Sequence, residues 1–351
     1  MNTHPVLVEA WRGNAVESFH RGAWIVADAT GCTVASGGDV QRPVFPRSAI
    51  KLLQALPLVQ SGAADRFGLD DRELALACAS HGGEAVHAAT AASMLAKAGL
   101  DASVLECGTH WPYEEGAKLA LAAAGRAPGP LHNNCSGKHA GFVCLGCMLA
   151  GDGDARTCLA GYVRQGHPVM REVDASIESC TRWRLADAPR GVDGCSIPTY
   201  GIPLSRLALA FARAGTGAGL TTARADAARR LREAVAREPH MVAGTGRFDT
   251  QVMQHFGLRV FCKVGAEGVY CAALPEQGLG IALKMDDGTT ARAAEVALAA
   301  LLQGLLAPLD DAGQALLAGL ARPALRNWQG LEVGRLAPHA TLDEAAKRSG
   351  T

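Results

Sequence analysis

The period of the hydrophobic pattern changes twice along this chain of 351 residues. Apolar and polar residues alternate in the segments 6–8 and 23–27, which is typical of strands. From Ile50 onward apolar residues recur at the spacing of a helix that is buried along one side. Near Leu258 the alternation returns. Strands at both ends and helices between them predict an α+β fold, in which helices pack on an antiparallel sheet.

The same patterns predict the individual elements. A helix begins near Pro46, and further helices are expected over the segments 71–79, 84–98, 114–124, 139–149, 168–179, 203–214, 223–237 and 290–306. Strands in the regions 5–40 and 258–335, the last of them near 331–333, are predicted to form the sheet, and the helical part covers about 46–250. The glycine-rich segment 213–219 is predicted to be a loop. Because no linker forces a division, residues 1–351 are predicted to form a single domain.

Composition excludes several classes of protein. The chain has 34 basic and 34 acidic residues, so no net charge attracts nucleic acid or an anionic membrane. No stretch approaches the ~20 apolar residues that span a bilayer, and the N-terminus lacks the pattern of a secretory signal. We therefore expect a cytoplasmic protein with neither a nucleic-acid nor a membrane partner.

The chain has 11 cysteines, an odd count that does not indicate a small fold held by disulfides. Cys144 and Cys147, taken with Cys135 or Cys158, could suggest a zinc module, but the second closely spaced pair of such a module is missing. Only Cys135 and Cys195 have neighbours that suggest a role other than packing. The cysteines expected to fill the core are Cys32, Cys78, Cys144, Cys147, Cys158 and Cys271.

Ser48 and Lys51 lie three positions apart at a predicted helix start, so their side chains share one face. A serine becomes a strong nucleophile when a base removes its proton, and a lysine is such a base once its pKa falls from about 10.4 toward neutrality. The simpler interpretation is a helix-capping serine beside a solvated lysine. Lys263, in a Lys-x-Gly strand end, corresponds in chain order to the element that faces the nucleophile helix in β-lactamases. The Ser-x-Asn element between them is absent, which argues against a penicillin-directed enzyme.

A series of motifs resembles the L-asparaginase II family, in particular its inducible, heat-labile bacterial type. The motif at 133–139, Asn-Asn-Cys-Ser-Gly-Lys-His, is the least expected by chance. The resemblance implies a fold similar to that of the serine β-lactamases, in agreement with the predicted order of strands and helices. In chain order the motifs lie at 16–22, 46–51, 80–84, 133–139, 193–195, 243–247 and 263–268.

The resemblance implies two serine–lysine pairs in one pocket, Ser48 with Lys51 and Ser80 with Lys263. One of the two serines is expected to accept the acyl group, and the lysines to act as its bases. All four residues are therefore candidate catalytic residues.

The resemblance also implies a zinc ion held by Cys135, Lys138 and Cys195, with a water molecule as the fourth ligand. From the residues alone, Cys-x-x-Lys with a distant cysteine is a weak metal signal, since zinc usually takes cysteine, histidine or carboxylate. A lysine binds a metal only as the neutral amine, so its pKa has to be lowered by the cation.

Four residues near the motifs are expected to bind the substrate. The planar fork of Arg47 suits an α-carboxylate, although the residue also fits a solvated helix start. Asp193 suits an α-ammonium group, support of a zinc ligand, or a turn cap. His81 and His139 suit either substrate binding or a purely structural hydrogen bond.

These motifs together predict an L-asparaginase that converts L-asparagine to L-aspartate and ammonia. A lysine-activated serine attacks the side-chain amide, and water then hydrolyses the aspartyl ester. A glutaminase or another serine–lysine amidohydrolase is the nearest alternative. A zinc-binding structural or regulatory protein is the non-enzymatic alternative. We also expect a homodimer.

Overall fold

The computed structural model describes residues 4–151 and 153–342. The strands are β1 (Val6–Arg12), β2 (Ala15–Asp28), β3 (Thr33–Gly37), β4 (Pro43–Val44), β5 (Arg190–Val192), β6 (Pro198–Tyr200), β7 (Ile202–Pro203), β8 (Phe261–Val264), β9 (Val269–Leu274), β10 (Leu279–Met285), β11 (Ala324–Arg326) and β12 (Glu332–Pro338).

The α-helices are α1 (Lys51–Gln60), α2 (Ala63–Arg66), α3 (Asp71–Ala77), α4 (Ala85–Lys97), α5 (Glu115–Ala123), α6 (Ser136–Ala150), α7 (Ala155–Leu159), α8 (Pro168–Thr181), α9 (Leu204–Thr216), α10 (Thr222–Arg237), α11 (His240–Ala243), α12 (Phe248–Phe256), α13 (Glu295–Leu305) and α14 (Asp311–Ala321). Single tighter turns lie at Arg47–Ile50, Ala102–Val104, Pro130–His132, Leu185–Asp187 and Gly257–Arg259, and a wider turn at Thr290–Ala294 leads into α13.

The main sheet is antiparallel and joins both ends of the chain. Its strands follow the order β11-β12-β1-β2-β10-β9-β8, and β3 also pairs with β2. Strand β2 pairs with β10 from Gly22 to Asp28, so the N-terminal and C-terminal strand regions form one surface. The predicted α+β architecture is therefore confirmed. Two small pairs, β4-β7 and β5-β6, lie outside this sheet and were not predicted.

Helix α9 packs against the middle of the sheet, where it contacts β2, β9 and β10. Leu207 and Phe211 on this helix are completely buried. A Cβ atom on Gly280 of β10 would lie 2.0 Å from the carbonyl oxygen of Ala208, so the close approach requires glycine here. Burial of each large apolar side chain contributes about 1.5–3 kcal/mol, which fixes the helix on the sheet.

Helix α6 is buried on all sides from Ser136 to Cys147, as expected of a helix at the centre of a helical layer. It contacts α1, α3, α4 and α8. Asn133 fixes its start, because the backbone N–H of Cys135 donates to the Asn133 side-chain oxygen at 2.8 Å and that of Ser136 to the Asn133 carbonyl at 2.8 Å. The first turn of α6 therefore holds Lys138 and His139 deep inside the protein.

The predicted helices are confirmed, with differences at particular positions. The helix expected from Pro46 begins as the tight turn Arg47–Ile50, and α1 starts only at Lys51. The loop expected over 213–219 was wrong for its first part, because α9 continues to Thr216 before Gly217 turns the chain with a φ of 80°. Helices α12 and α14 were not predicted.

The expected burial of the cysteines is only partly correct. Cys78, Cys144, Cys147 and Cys271 are buried, whereas Cys32 and Cys158 are exposed, so their assignment to the core was wrong. Cys32 follows the turn that leads into the largely exposed strand β3, and Cys158 lies on the short helix α7. Every cysteine is a free thiol. In the described ranges, no helix has both the length and the apolar character needed to cross a bilayer.

Candidate active site

A cavity of about 240 Å³ brings together five of the sequence motifs. Both predicted nucleophiles, Ser48 and Ser80, line it. A Cβ on Gly265 would lie 2.6 Å from the carbonyl oxygen of Pro46, so this glycine lets the end of β8 lie directly against the segment that carries Ser48. The lining residues are Ser48, Ser80, Tyr113, Asn134, Arg247, Val264, Gly265, Ala266 and Thr290.

Ser80 presents an unpaired hydroxyl at this cavity. The residue is 8% exposed, and among the described residues its Oγ has no hydrogen-bond partner. Its backbone N–H donates to the carbonyl oxygen of Val242 at 2.8 Å, which holds the segment in place. Because an unpaired buried hydroxyl costs free energy, its retention is a common feature of functional sites.

Lys51 is completely buried at the start of α1. Its Nζ donates to the carbonyl oxygen of Ala79 and to the Sγ of Cys135, the latter at 3.0 Å. The lysine therefore connects the segment that precedes Ser80 with the cysteine motif. Its hydrogen bonds do not include Ser48, its predicted partner.

Lys263 lies on β8, also completely buried, and its Nζ donates to the carbonyl oxygen of Val264 at 2.9 Å. Burial lowers the pKa of Lys263 to about 7. The Asp249 carboxylate opposes this shift, while the positive charges of Lys51 and Arg247 add to it. A lysine with such a pKa is about half in the neutral amine form near pH 7, and this is the form that can act as a general base.

Asp249 is a buried residue near Lys263 that the sequence analysis missed. Its Oδ2 lies 3.9 Å from the Nζ of Lys263, and the side chain is 1% exposed. The only signal in the sequence is its position on α12, where it shares a buried face with Val252 and Phe256 at helical spacing. A carboxylate at such a position indicates a specific partner, because an unpaired buried charge is costly.

Cys135, Lys138 and Cys195, the three residues that the resemblance implied as zinc ligands, lie together in a second buried cluster. Lys138 Nζ lies 3.0 Å from Cys195 Sγ, and the two cysteine side chains are hydrogen-bonded to each other. Cys135 and Lys138 lie at the start of α6. Cys195 lies in the turn of the β5-β6 hairpin, which brings it to the helix from a distant part of the chain.

The charges within this cluster balance one another. The hydrogen bond with Cys195 lowers the pKa of Cys135 well below its usual value, and Lys51 and Lys138 act in the same direction against burial. That hydrogen bond and burial raise the pKa of Cys195. Burial would lower the pKa of Lys138, but Cys195, Cys135 and Asp193 outweigh it and leave the pKa above its usual value. These shifts favour the thiolate at Cys135, the thiol at Cys195 and the ammonium at Lys138.

The donor set of this cluster is compatible with zinc. Two sulfur atoms and one amine nitrogen converge in a buried place, and thiolate and nitrogen ligands bind zinc at about 2.0–2.3 Å in a tetrahedral arrangement. The lysine would have to lose its proton to become a ligand, so an ion would replace protons in the cluster.

Arg47 and Asp193, both expected to bind substrate, are paired with each other. Arg47 Nε donates to Asp193 Oδ1 at 2.5 Å. Arg47 has a φ of 51°, a left-handed conformation that costs a non-glycine residue of order 1–3 kcal/mol and that the ion pair helps to hold. Burial raises the pKa of Asp193, but the charges of Lys138 and Arg47 leave it below its usual value. Arg47 lines a neighbouring cavity of about 410 Å³.

His81 and His139 lie behind the site and do not line the 240 Å³ cavity. The Nδ1 of His81 accepts from the backbone N–H of Gly83 at 3.1 Å, so its Nε2–H donates to the Oγ of Ser136 at 2.9 Å. His139 Nδ1 bonds to the hydroxyl of Tyr162 at 2.7 Å. Burial lowers the pKa of both histidines well below the usual value, so both are neutral hydrogen-bonding groups.

A further group of potential metal ligands consists of Glu84, His87 and His240, whose ligand atoms lie within 4.8 Å of one another. Glu84 already accepts hydrogen bonds from the backbone N–H and the hydroxyl of Thr245, at 2.8 and 3.0 Å, and lies 3.3 Å from His240 Nε2. These contacts connect the motif that carries Ser80 to the motif that carries Arg247. The sequence analysis did not single out this group.

The family model for L-asparaginase II matches residues 8–338. The chain therefore belongs to the L-asparaginase II family. Membership implies an amidohydrolase of the asparaginase type that acts on a small-molecule amide. None of the curated proteins matches the chain.

Proposed function

We propose that the protein is an L-asparaginase that hydrolyses L-asparagine to L-aspartate and ammonia through a lysine-activated serine. The observation that carries this proposal is the cavity whose lining includes both Ser48 and Ser80, while Lys51 and Lys263, from the same two motifs as Ser48 and Val264 of the lining, are completely buried. Family membership supports the amide chemistry, and the pKa of Lys263, about 7, supports a lysine base.

The reaction proceeds in two stages. The serine hydroxyl transfers its proton to the lysine amine and attacks the carbonyl carbon of the side-chain amide. The lysine then passes this proton to the leaving nitrogen, which departs as ammonia and leaves an aspartyl ester on the serine. Water hydrolyses the ester with the same base and releases aspartate.

Arg247 is the proposed partner of the substrate carboxylate. It is the guanidinium group among the residues that line the cavity, and guanidinium binds carboxylate through two parallel hydrogen bonds. Arg47 remains a candidate, but its ion pair with Asp193 would first have to open or accommodate the substrate. His81 and His139 support the site from behind.

We further propose that Cys135, Lys138 and Cys195 hold a zinc ion. A bound zinc ion would supply a positive charge that orients the substrate or a water molecule. Lys51 Nζ, at 3.0 Å from Cys135 Sγ, connects this cluster with the catalytic lysines. The proposal also includes the inducible, heat-labile type, a cytoplasmic location and a homodimer, as expected from the sequence.

Glutamine is the alternative substrate and differs from asparagine by one methylene. A pocket fitted to the shorter side chain discriminates by roughly 1–3 kcal/mol from that group alone. We therefore expect a higher kcat/KM for asparagine, measured as ammonia release from both amides. Equal values would identify a glutaminase-asparaginase.

The serine mechanism is tested with Ser48→Ala and Ser80→Ala. The variant that lacks the attacking serine is expected to lose roughly 10³–10⁶ in kcat, because the residues of such a site act as a unit. Acid quenching of the wild type during turnover, followed by peptide mass spectrometry, should locate an aspartyl group on Ser48 or Ser80. Ser205→Ala, outside the cavity, is the control and should retain activity.

Two results would contradict this mechanism. Normal turnover in both folded serine variants would exclude these residues as nucleophiles. A zinc-containing protein with no ammonia release from either amide would favour the structural or regulatory alternative.

A further inference from the structure

Asp249 is a buried carboxylate that the proposed reaction does not yet use. It lies on α12, with Oδ2 at 3.9 Å from Lys263 Nζ. The hydroxyl of Tyr270 donates to Oδ1, and the backbone N–H of Val264 donates to Oδ2 at 3.2 Å. The thiol of Cys262 also donates to Oδ1, at 3.8 Å. Three donors from the neighbouring strands β8 and β9 therefore hold the carboxylate in one orientation.

The charges around the two groups make this pair distinctive. In the described part of the chain, Asp249 is the carboxylate within 4.0 Å of the Lys263 amine. The positive charges of Lys51 and Arg247 act against an ammonium at Lys263. The other titratable groups that face the pair are Cys135, Cys78 and Cys271 around Lys263, and Cys262, Tyr270 and Glu295 around Asp249.

We propose that Asp249 is a positioning residue for Lys263, and that its carboxylate stabilises the ammonium formed when Lys263 takes the proton of the attacking serine. The inference rests on the proposed function and extends the serine–lysine pair to a serine–lysine–aspartate series. The proton moves from the serine oxygen to Lys263 Nζ and then to the leaving nitrogen, while Asp249 remains ionised throughout.

The physical reason is the burial of Lys263. A completely buried amine beside other cations accepts a proton only with difficulty, because the new charge is poorly solvated. A fixed carboxylate at 3.9 Å offsets this cost without the approach of water. The aspartate of a Ser-His-Asp triad has the same role toward its histidine that we propose for Asp249 toward Lys263. It orients and stabilises the protonated base but does not itself take the proton.

Asp249→Asn tests this role, because it keeps the shape of the side chain and removes its charge. We expect kcat for asparagine to fall by roughly 10²–10⁴, the range for loss of support to a general base, with KM changed by less than about threefold. The acid limb of kcat/KM should move to lower pH by about one unit, because Lys263 loses the charge that favours its protonation. A merely structural role would not move this limb.

Asp174→Asn is the matched control. Asp174 on α8 is partly buried and likewise accepts a hydrogen bond from a tyrosine hydroxyl, that of Tyr200 at 2.8 Å, but it does not line the cavity. This variant should keep both kcat and the acid limb. If Asp249→Asn folds and keeps its kcat, or loses kcat with an unmoved limb, the positioning role is excluded.

A second measurement separates this inference from the proposed function. The Cε resonance of ¹³C-labelled Lys263, assigned with Lys263→Arg, reports the pKa of the amine whether or not asparagine is hydrolysed. A lower pKa in Asp249→Asn supports the link, and an unchanged pKa overturns it. An inactive wild type would overturn the proposed function alone.

Tyr270→Phe addresses the case in which Asp249→Asn does not fold. This variant keeps the carboxylate but removes one of its three donors, so Asp249 should attract the Lys263 proton more strongly. The pKa of Lys263 is then expected to rise. An unchanged Lys263 resonance titration in this variant would count against the inference.

Discussion

Lys138 and Lys263 are both completely shielded lysines behind one site, but their protonation differs. Burial acts to lower the pKa of both lysines. For Lys138, two sulfurs and Asp193 outweigh burial and raise the pKa. For Lys263, burial lowers the pKa to about 7, and the nearest carboxylate lies 3.9 Å away with donors of its own. The comparison shows that burial alone does not decide whether a buried lysine is charged. The distance to the nearest negative group, and whether that group already accepts hydrogen bonds from other donors, also matter.

This difference suggests a division of roles between two regions. The thiol region consists of Cys135, Lys138 and Cys195, and its two sulfur atoms, of which that of Cys135 has a lowered pKa, suit a bound cation. The carboxylate region consists of Lys263 and Asp249, and it suits reversible proton transfer. Lys51 lies between them, with its amine bonded to Cys135 on the thiol side.

The largest expected effect on the reaction rate comes from removing the side-chain amine of Lys263, which belongs to the carboxylate region. Lys263→Met should lower kcat by roughly 10³ or more, because a general base and its proton shuttle are lost together. Zinc content should stay unchanged. Lys284→Met is the control, since Lys284 is a partly buried lysine that also donates to backbone carbonyls, and it should keep most of the activity. A folded Lys263→Met protein with normal turnover would contradict the assignment of Lys263 as the base.

The sequence predicted the thiol region better than the carboxylate region. Cys135 and Lys138 belong to one motif on one helix start, so their proximity follows from local spacing. Asp249 belongs to no predicted motif, and its pairing with Lys263 depends on how α12 packs against β8. Long-range packing of this kind leaves no periodic signal in a single sequence.

The fold shows the same limit at a larger scale. The main sheet and the long helices were predictable because many residues contribute to each period. The β5-β6 hairpin was not, because its strands have three residues each and cannot show alternation. The turn of that hairpin places Cys195 beside Lys138 and Asp193 beside Arg47. The resemblance therefore identified the two residues, and the structure explains how they reach the site.

The second prediction concerns the metal of the thiol region. Cys135→Ala and Cys195→Ala should each lose bound zinc, because three protein ligands leave no replacement. Metal analysis of the purified proteins measures the loss. The double variant Cys144→Ala/Cys147→Ala is the control, since both residues are buried packing groups on α6. Retention of zinc by Cys195→Ala, or its loss only in the double variant, would place the ion elsewhere.

The third and smallest effect is the pH dependence that should distinguish the two regions in the wild type. The pKa of Lys263 is lowered to about 7, so the neutral, active amine predominates above that pH and the ammonium below it. We therefore expect kcat/KM to rise with pH through about 7 and to fall about tenfold per unit on the acid side. Protons also compete with zinc for Cys135, Lys138 and Cys195, so metal content has to be measured at every pH. Activity that falls while zinc is retained would locate the titrating group at Lys263, because the thiol region would then be unchanged. A rate that stays flat down to pH 5 with zinc retained would show that Lys263 is not the base, whereas parallel loss of zinc and rate would assign the limb to the thiol region.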